Sequence, residues 1–162
     1  MQSYQRNTYE CSFHELQFEL IESIREHMMQ HQLGSVEREL LICCETASYN
    51  RKVTGFLGSP IAGVTDPVRY TAILVSPEWF LAARTGSESG TYTVSARLAD
   101  IEMREYEMNH PESNMGIVIS GYLTGVPEPA ESIWGLGPGK GSDKLKTILR
   151  GAIEQARAAK SV

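Results

Sequence analysis

Tyr70-Thr71-Ala72-Ile73-Leu74-Val75-Ser76-Pro77-Glu78-Trp79-Phe80-Leu81-Ala82-Ala83-Arg84 is the stretch that decides the fold class. Two short apolar runs, 70–75 and 79–84, flank Ser76-Pro77-Glu78. Each run is too short for a stable helix, and the proline between them turns the chain. The pair therefore reads as a β-hairpin.

The same grammar extends outward on both sides. Upstream, Leu40, Ile42 and Cys44 alternate with Leu41, Cys43 and Glu45, which predicts a strand; Ser48-Tyr49-Asn50 reads as a turn, and 52–57 as a returning strand. Residues 58–66 are rich in Gly and Pro and read as a loop. Downstream, Gly86–Gly90 is a tight loop, and 91–98 alternates with Tyr92, Val94 and Ala96 on one side. Ile101, Met103 and Glu105 continue an extended segment; 109–114 is a loop, and 115–124 and 131–136 are further strands.

A helix is expected at each end. Ser12-Phe13-His14-Glu15 fits a capping box. Phe13, Leu16, Leu20, Ile24 and Met28 follow at steps of three and four, making one apolar face, with Gly34 as the stop. Residues 1–11 read as a frayed tail. At the other end Ser142 reads as an N-cap, and Leu145, Ile148, Leu149, Ala152, Ile153 and Ala156 form an apolar stripe. About seven consecutive short strands between two helices predict an α+β antiparallel barrel or sandwich closed by the C-terminal helix.

With 162 residues, the chain fits one domain large enough to bury its own core. The net charge of −5 argues against general nucleic-acid binding. No run approaches the length of a membrane span, and Met1–Glu10 lacks the apolar segment of a secretory signal. Cys11, Cys43 and Cys44 are odd in number and two are adjacent, a poor basis for a disulfide framework. They read as reduced thiols of a cytoplasmic protein.

Charge is unevenly spread. Residues 97–131 are net −5 and residues 132–162 net +4. Lys146, Arg150 and Arg157 read as the solvated face of the last helix, with Arg150 and Glu154 one turn apart.

The element order resembles the bacterial pleckstrin-homology-like (PH-like) domains related to the GRAM branch. The echoes lie in Ile73-Leu74-Val75-Ser76-Pro77-Glu78-Trp79-Phe80-Leu81-Ala82, in Val94-Ser95-Ala96-Arg97-Leu98-Ala99-Asp100-Ile101, and in the position of the terminal helix. The resemblance implies seven antiparallel strands in two near-orthogonal sheets with the C-terminal helix across one end. It covers residues 38–162, leaving 1–37 as an added tail and amphipathic helix within one compact unit. It also implies binding of an anionic headgroup by basic residues of the first two strands and their loop. The matching positions are Tyr49, Arg51, Lys52 and Arg69; the family's denser basic motif is missing.

Catalytic and cofactor readings find little support. Gly135–Ser142 lies between a strand and a helix, as phosphate loops do, but Trp134 stands where that motif needs glycine and Gly141 where it needs Ser or Thr. Its glycines read as a sharp turn, with Lys140 and Lys144 offering weak anion binding at the helix start. His27 and His31 have zinc-ligand spacing without the glutamate of a zinc protease, and read as a solvated pair. No Asp among 66, 100 and 143 sits in a recognisable triad setting. The expectation is a non-catalytic module for a protein, peptide or anionic headgroup, without metal or cofactor. The alternative is a helix-grip carrier or enzyme, whose interior would be an apolar cavity of about 300 Å³ or more. The first helix, outside the family pattern, is expected to offer its apolar face to a homodimer.

Overall fold

The computed structural model describes residues 4–50, 67–107 and 115–161. The strand expected at 52–57 and the loops at 58–66 and 109–114 lie outside them.

Among the described residues, eight antiparallel strands make two sheets. Strands β1 (Tyr4–Glu10), β2 (Ile42–Asn50), β3 (Val68–Val75), β4 (Trp79–Gly86) and β5 (Gly90–Arg97) form the first in that order; β6 (Ile101–Glu107), β7 (Met115–Gly121) and β8 (Ala130–Leu136) form the second. Helix α1 (Phe18–Gln30) separates β1 from β2, and α2 (Lys140–Lys160) ends the chain. The architecture is thus α+β and antiparallel, but it has five and three strands rather than seven and is not a closed barrel.

Two readings fail for one reason. The supposed tail is β1, and the supposed turn at Ser48–Asn50 lies inside β2, because β2 is paired on both sides. Arg6 faces Ser48, which faces Arg69; Gln5 faces Tyr49, which faces Val68. The turn-forming character of Ser and Asn is overridden by ladders on both edges.

The five-stranded sheet is loaded on both faces, which explains its unbroken apolar runs. Ile42, Cys44, Ile73, Val75, Phe80 and Ala82 point inward and meet Ile117 and Ile119 of β7, Trp134 and Leu136 of β8, and Leu145, Leu149 and Ile153 of α2. Ile73, Phe80, Ile117, Ile119, Leu145 and Leu149 are each at most 1% exposed, so no water-sized void adjoins them. This interior is filled, unlike the hollow of a helix-grip carrier. Cys43, Ala72, Leu74, Leu81 and Ala83 point outward and are covered by Phe13, Leu16, Leu20, Ile24 and Met28. The apolar face of α1 therefore packs on its own sheet. The five residues expected at a homodimer interface are thus used within the chain, because the sheet's second apolar face had to be covered.

Glu45 fastens α1. Its side chain is completely buried, accepts a hydrogen bond from the Gln17 backbone amide at 2.8 Å, and accepts another from the Tyr9 hydroxyl. A carboxylate against the first free amides of a helix is favoured by the helix dipole. Burial, and then the bond to Glu45, raise the Tyr9 phenol above its ordinary range. The Ser12–Glu15 capping box is formed, with the Ser12 amide donating to Glu15 at 3.0 Å, but it opens a 3-10 turn over Phe13–Glu15, and α1 begins only at Phe18. The helix ends at Gln30 with His31 as its cap, short of Gly34.

At the other end, α2 starts at Lys140 with Gly139 as N-cap, so Ser142 is inside the first turn and buried rather than capping. The glycines before it mostly serve close approach. A Cβ on Gly137 would lie 2.5 Å from the Arg6 carbonyl oxygen, and one on Gly141 would lie 2.7 Å from that of Thr8. Only Gly139, at φ 116, carries a turn that disfavours other residues. The basic face of α2 is not simply solvated. Lys146 and Arg150 reach Glu105 at 2.9 and 3.2 Å, Arg157 donates to the Ile101 carbonyl at 2.6 Å, and Lys160 reaches Asp100 at 2.6 Å. Lys146, followed by Arg150, holds the Glu105 carboxyl below the ordinary carboxylate range. The acidic and basic segments of the chain thus neutralise each other.

Replacing Glu45 with Ala leaves the Gln17 amide without its acceptor, and a buried unsatisfied group costs roughly 1–3 kcal/mol. Glu45→Ala should lower stability by about that much in urea denaturation, and Tyr9→Phe by less, since the half-exposed hydroxyl has water available. Equal stability of Glu45→Ala and wild type would contradict the capping role. Leu149→Ala removes a fully buried side chain from the inner core. It should cost about 2–5 kcal/mol, and an unchanged denaturation midpoint would show that α2 is not part of that core.

Candidate functional site: an arginine-lined cleft

The inner face of the first sheet changes character along its strands. Toward α2 it is apolar; toward the β2–β3 connection it becomes polar, row by row. Thr8, Thr46, Thr71, Arg84 and Tyr92 stand in one cross-strand row, and Arg6, Ser48 and Arg69 in the next. Opposed residues of antiparallel strands project from the same face, so each row presents its side chains together.

These rows open into a cleft of about 190 Å³ between the two sheets, walled by Arg6, Arg69 and Arg84, by the hydroxyl-bearing Ser48, Thr71 and Tyr106, and by Ile133 and Gly135. No carboxylate is among these lining residues. Arg84 is held by its surroundings: it donates to the Tyr92 hydroxyl and the Ile133 carbonyl, both at 3.2 Å, and lies over the Trp134 ring at 5.0 Å. Arg6 lies against β8 where Gly135 has no side chain; a Cβ there would come within 2.5 Å of the guanidinium. Three planar, permanently charged guanidinium groups around one small space suit an oxyanion, which they grip with paired N–H donors.

Of the described residues expected to bind a ligand, only Arg69 belongs to this cleft. Tyr49 is exposed and, by strand alternation, points to the opposite face from Arg69. Arg51 and Lys52 lie outside the described residues. Lys140 is exposed at the start of α2, and Lys144 is tied to Glu10 of β1 at 2.7 Å. The strand parity of Arg84 and Tyr92 was readable in the sequence, but Arg6 was hidden in a segment read as tail.

His27 is not solvated. It is half-buried against β5, with Nε2 2.7 Å from the Ser95 hydroxyl, and Ser95 in turn donates to Thr124 at 2.8 Å. Since the Ser95 proton goes to Thr124, His27 Nε2–H must be the donor to Ser95. That is the reverse of what a general base needs, and Ser95 is completely buried. The His27 and His31 ring centroids lie 4.4 Å apart with the planes tilted at 49°, and among the described residues no group of three or more His, Cys, Asp or Glu is arranged to hold a metal ion. Among the described residues no helix is long and apolar enough to cross a membrane.

Burial, together with the neighbouring His31, lowers the His27 pKa from 6.5 to about 4. Between those values the unfolded chain takes up a proton that the folded chain refuses, so this contribution to stability is complete above about pH 6.5 and is lost as pH falls toward 4. The half-exposed ring keeps the effect modest. His27→Gln should flatten the fall of the denaturation midpoint across that window; parallel pH profiles for the two proteins would contradict it.

Comparison with protein-family models, curated proteins and solved structures yields no match to this chain.

Proposed function

We propose that this protein is a non-catalytic binding module of PH-like type, whose ligand presents a phosphate-like anionic group to the cleft of Arg6, Arg69 and Arg84. The observation that carries this reading is the convergence of those three guanidinium groups in a space of about 190 Å³. Drug-sized ligands occupy about 300 Å³ or more, so the cleft takes one charged group of a larger ligand or a small free anion. The filled core favours a module of this kind over a hollow carrier. The PH-like assignment draws support from strands β2–β8 in two antiparallel sheets followed by a terminal helix, with β1 and α1 as additions.

Ligand chemistry is tested with inorganic pyrophosphate, and its source with vesicles. Pyrophosphate should raise the melting temperature of the protein in proportion to the logarithm of its concentration. A hydrogen bond to a charged group contributes about 1.5–3 kcal/mol, and about 1.4 kcal/mol is tenfold in affinity. Arg6→Gln and Arg69→Gln should therefore each weaken pyrophosphate binding about tenfold or more, with little change in melting temperature without the anion. With a net charge of −5, the protein should show no salt-sensitive binding to phosphatidylserine vesicles; such binding would assign the anion to a membrane headgroup instead. A protein that binds neither probe, or arginine variants that bind as wild type does, would overturn the proposal.

A further inference from the structure

Cys11 and Cys43 meet in a way unrelated to the anion cleft. The β1–β2 register sets Glu10 opposite Cys44, and the Cys11 backbone amide continues it by donating to the Cys43 carbonyl at 3.0 Å. Cys11 and Cys43 are therefore directly opposed, with side chains on the same outer face beneath α1, where Cys43 is buried and Cys11 packs against the same cluster. Directly opposed residues of an antiparallel pair have Cα atoms about 4.5–5.5 Å apart, inside the range of about 4.4–6.8 Å that a disulfide spans. Cys44, the next residue, points to the other face and donates instead toward the Gly141 carbonyl.

The two thiols differ in access. Both border a surface cleft of about 590 Å³ whose other walls include His14, Arg38 and Leu41. Cys11 is half-exposed there, whereas Cys43 is 4% exposed. Their chemistry differs in the same direction. The neighbouring Cys43 thiol lowers the Cys11 pKa, and Cys11 together with burial raises that of Cys43; burial pushes the Cys44 thiol up to about 12. An accessible sulfur of lowered pKa beside a buried thiol is the arrangement of an attacking and a resolving cysteine.

We infer that Cys11 and Cys43 form a reversible peroxide-responsive dithiol site, closing to a cross-strand disulfide between the end of β1 and β2. The Cys11 thiolate attacks one oxygen of hydrogen peroxide; the O–O bond breaks, and the departing hydroxide takes up a proton and leaves as water. Cys11 becomes a sulfenic acid, having lost two electrons to the peroxide. The Cys43 sulfur then attacks the Cys11 sulfur, the S–O bond breaks, and the Cys43 proton leaves with the hydroxyl as a second water. An external thiol reverses the reaction by exchange and is itself oxidised.

The experiment treats the full chain with stoichiometric hydrogen peroxide and reads intact mass, free thiols and a non-reducing peptide map. The expected result is loss of two hydrogens, a fall from three titratable thiols to one, and a single Cys11–Cys43 linkage that dithiothreitol removes. Cys44→Ser should keep the linkage. Cys43→Ser should stop at the Cys11 sulfenic acid, captured by dimedone, and Cys11→Ser should leave the remaining thiols unoxidised at the same dose. A linkage involving Cys44, an intermolecular disulfide through Cys11, or a sulfenic acid that persists on Cys11 in the wild type would overturn the inference. The wild-type map stands on its own should a variant fold poorly.

Discussion

The antiparallel pairing of β1 on β2 is the contact on which the other features depend. It joins residues far apart in the chain, with Arg6 opposite Ser48 and Glu10 opposite Cys44. Along that one short strand, Arg6 reaches the arginine-lined cleft, Thr8 accepts from the Gly137 amide at 2.8 Å, Tyr9 meets Glu45, and Glu10 pairs with Lys144 of α2. Cys11, just beyond, lies against Cys43. Both faces and the far edge of β1 are thus in use. The second sheet accommodates it by omitting side chains at Gly135 and Gly137, where Cβ atoms would collide with Arg6.

A second constraint follows from the sheet's composition. Its central strands are apolar on both faces, so each face needs a cover, and the chain supplies α1 on one side and α2 with the second sheet on the other. The inner cover does not extend to the far end of the strands. There the inner rows turn to Thr, Ser and Arg, and the space between the sheets becomes the arginine cleft rather than more core. The apolar end anchors the fold, and the polar end holds the arginine cleft. Pairing of α2 with Glu105, Glu102 and Asp100 uses the charge asymmetry of the sequence within the chain instead of presenting it to a partner.

Legibility in the sequence followed the strength of the periodic signal. The hairpin of β3 and β4, the faces of α1 and α2 and the inward parity of Tyr92, Val94 and Ala96 were readable because apolar residues repeat there with one period. β1 was not, since Tyr4–Glu10 is polar on both parities: one row faces the hydroxyls and arginines of the cleft, and the other carries Asn7 and Tyr9. A strand whose partners are polar leaves no hydrophobic alternation to detect. Ser48-Tyr49-Asn50 misled for the complementary reason, since local turn propensity says nothing of ladders supplied by distant segments. The site inherited both errors. Arg69 was within reach of sequence reasoning, whereas Arg6 becomes a cleft residue only once β1 is a strand.

Amide hydrogen exchange along β1 tests this account most directly. The Cys11 amide bonds to Cys43, and in an antiparallel ladder the bonded amides alternate, so those of Gln5, Asn7 and Tyr9 also point at β2. The account predicts that these four amides exchange far more slowly than in an unstructured peptide, with protection approaching that of β2 itself. Exchange of all of them at the rate of a free tail would contradict it, and with it the placement of Arg6 in the cleft and of Cys11 beside Cys43.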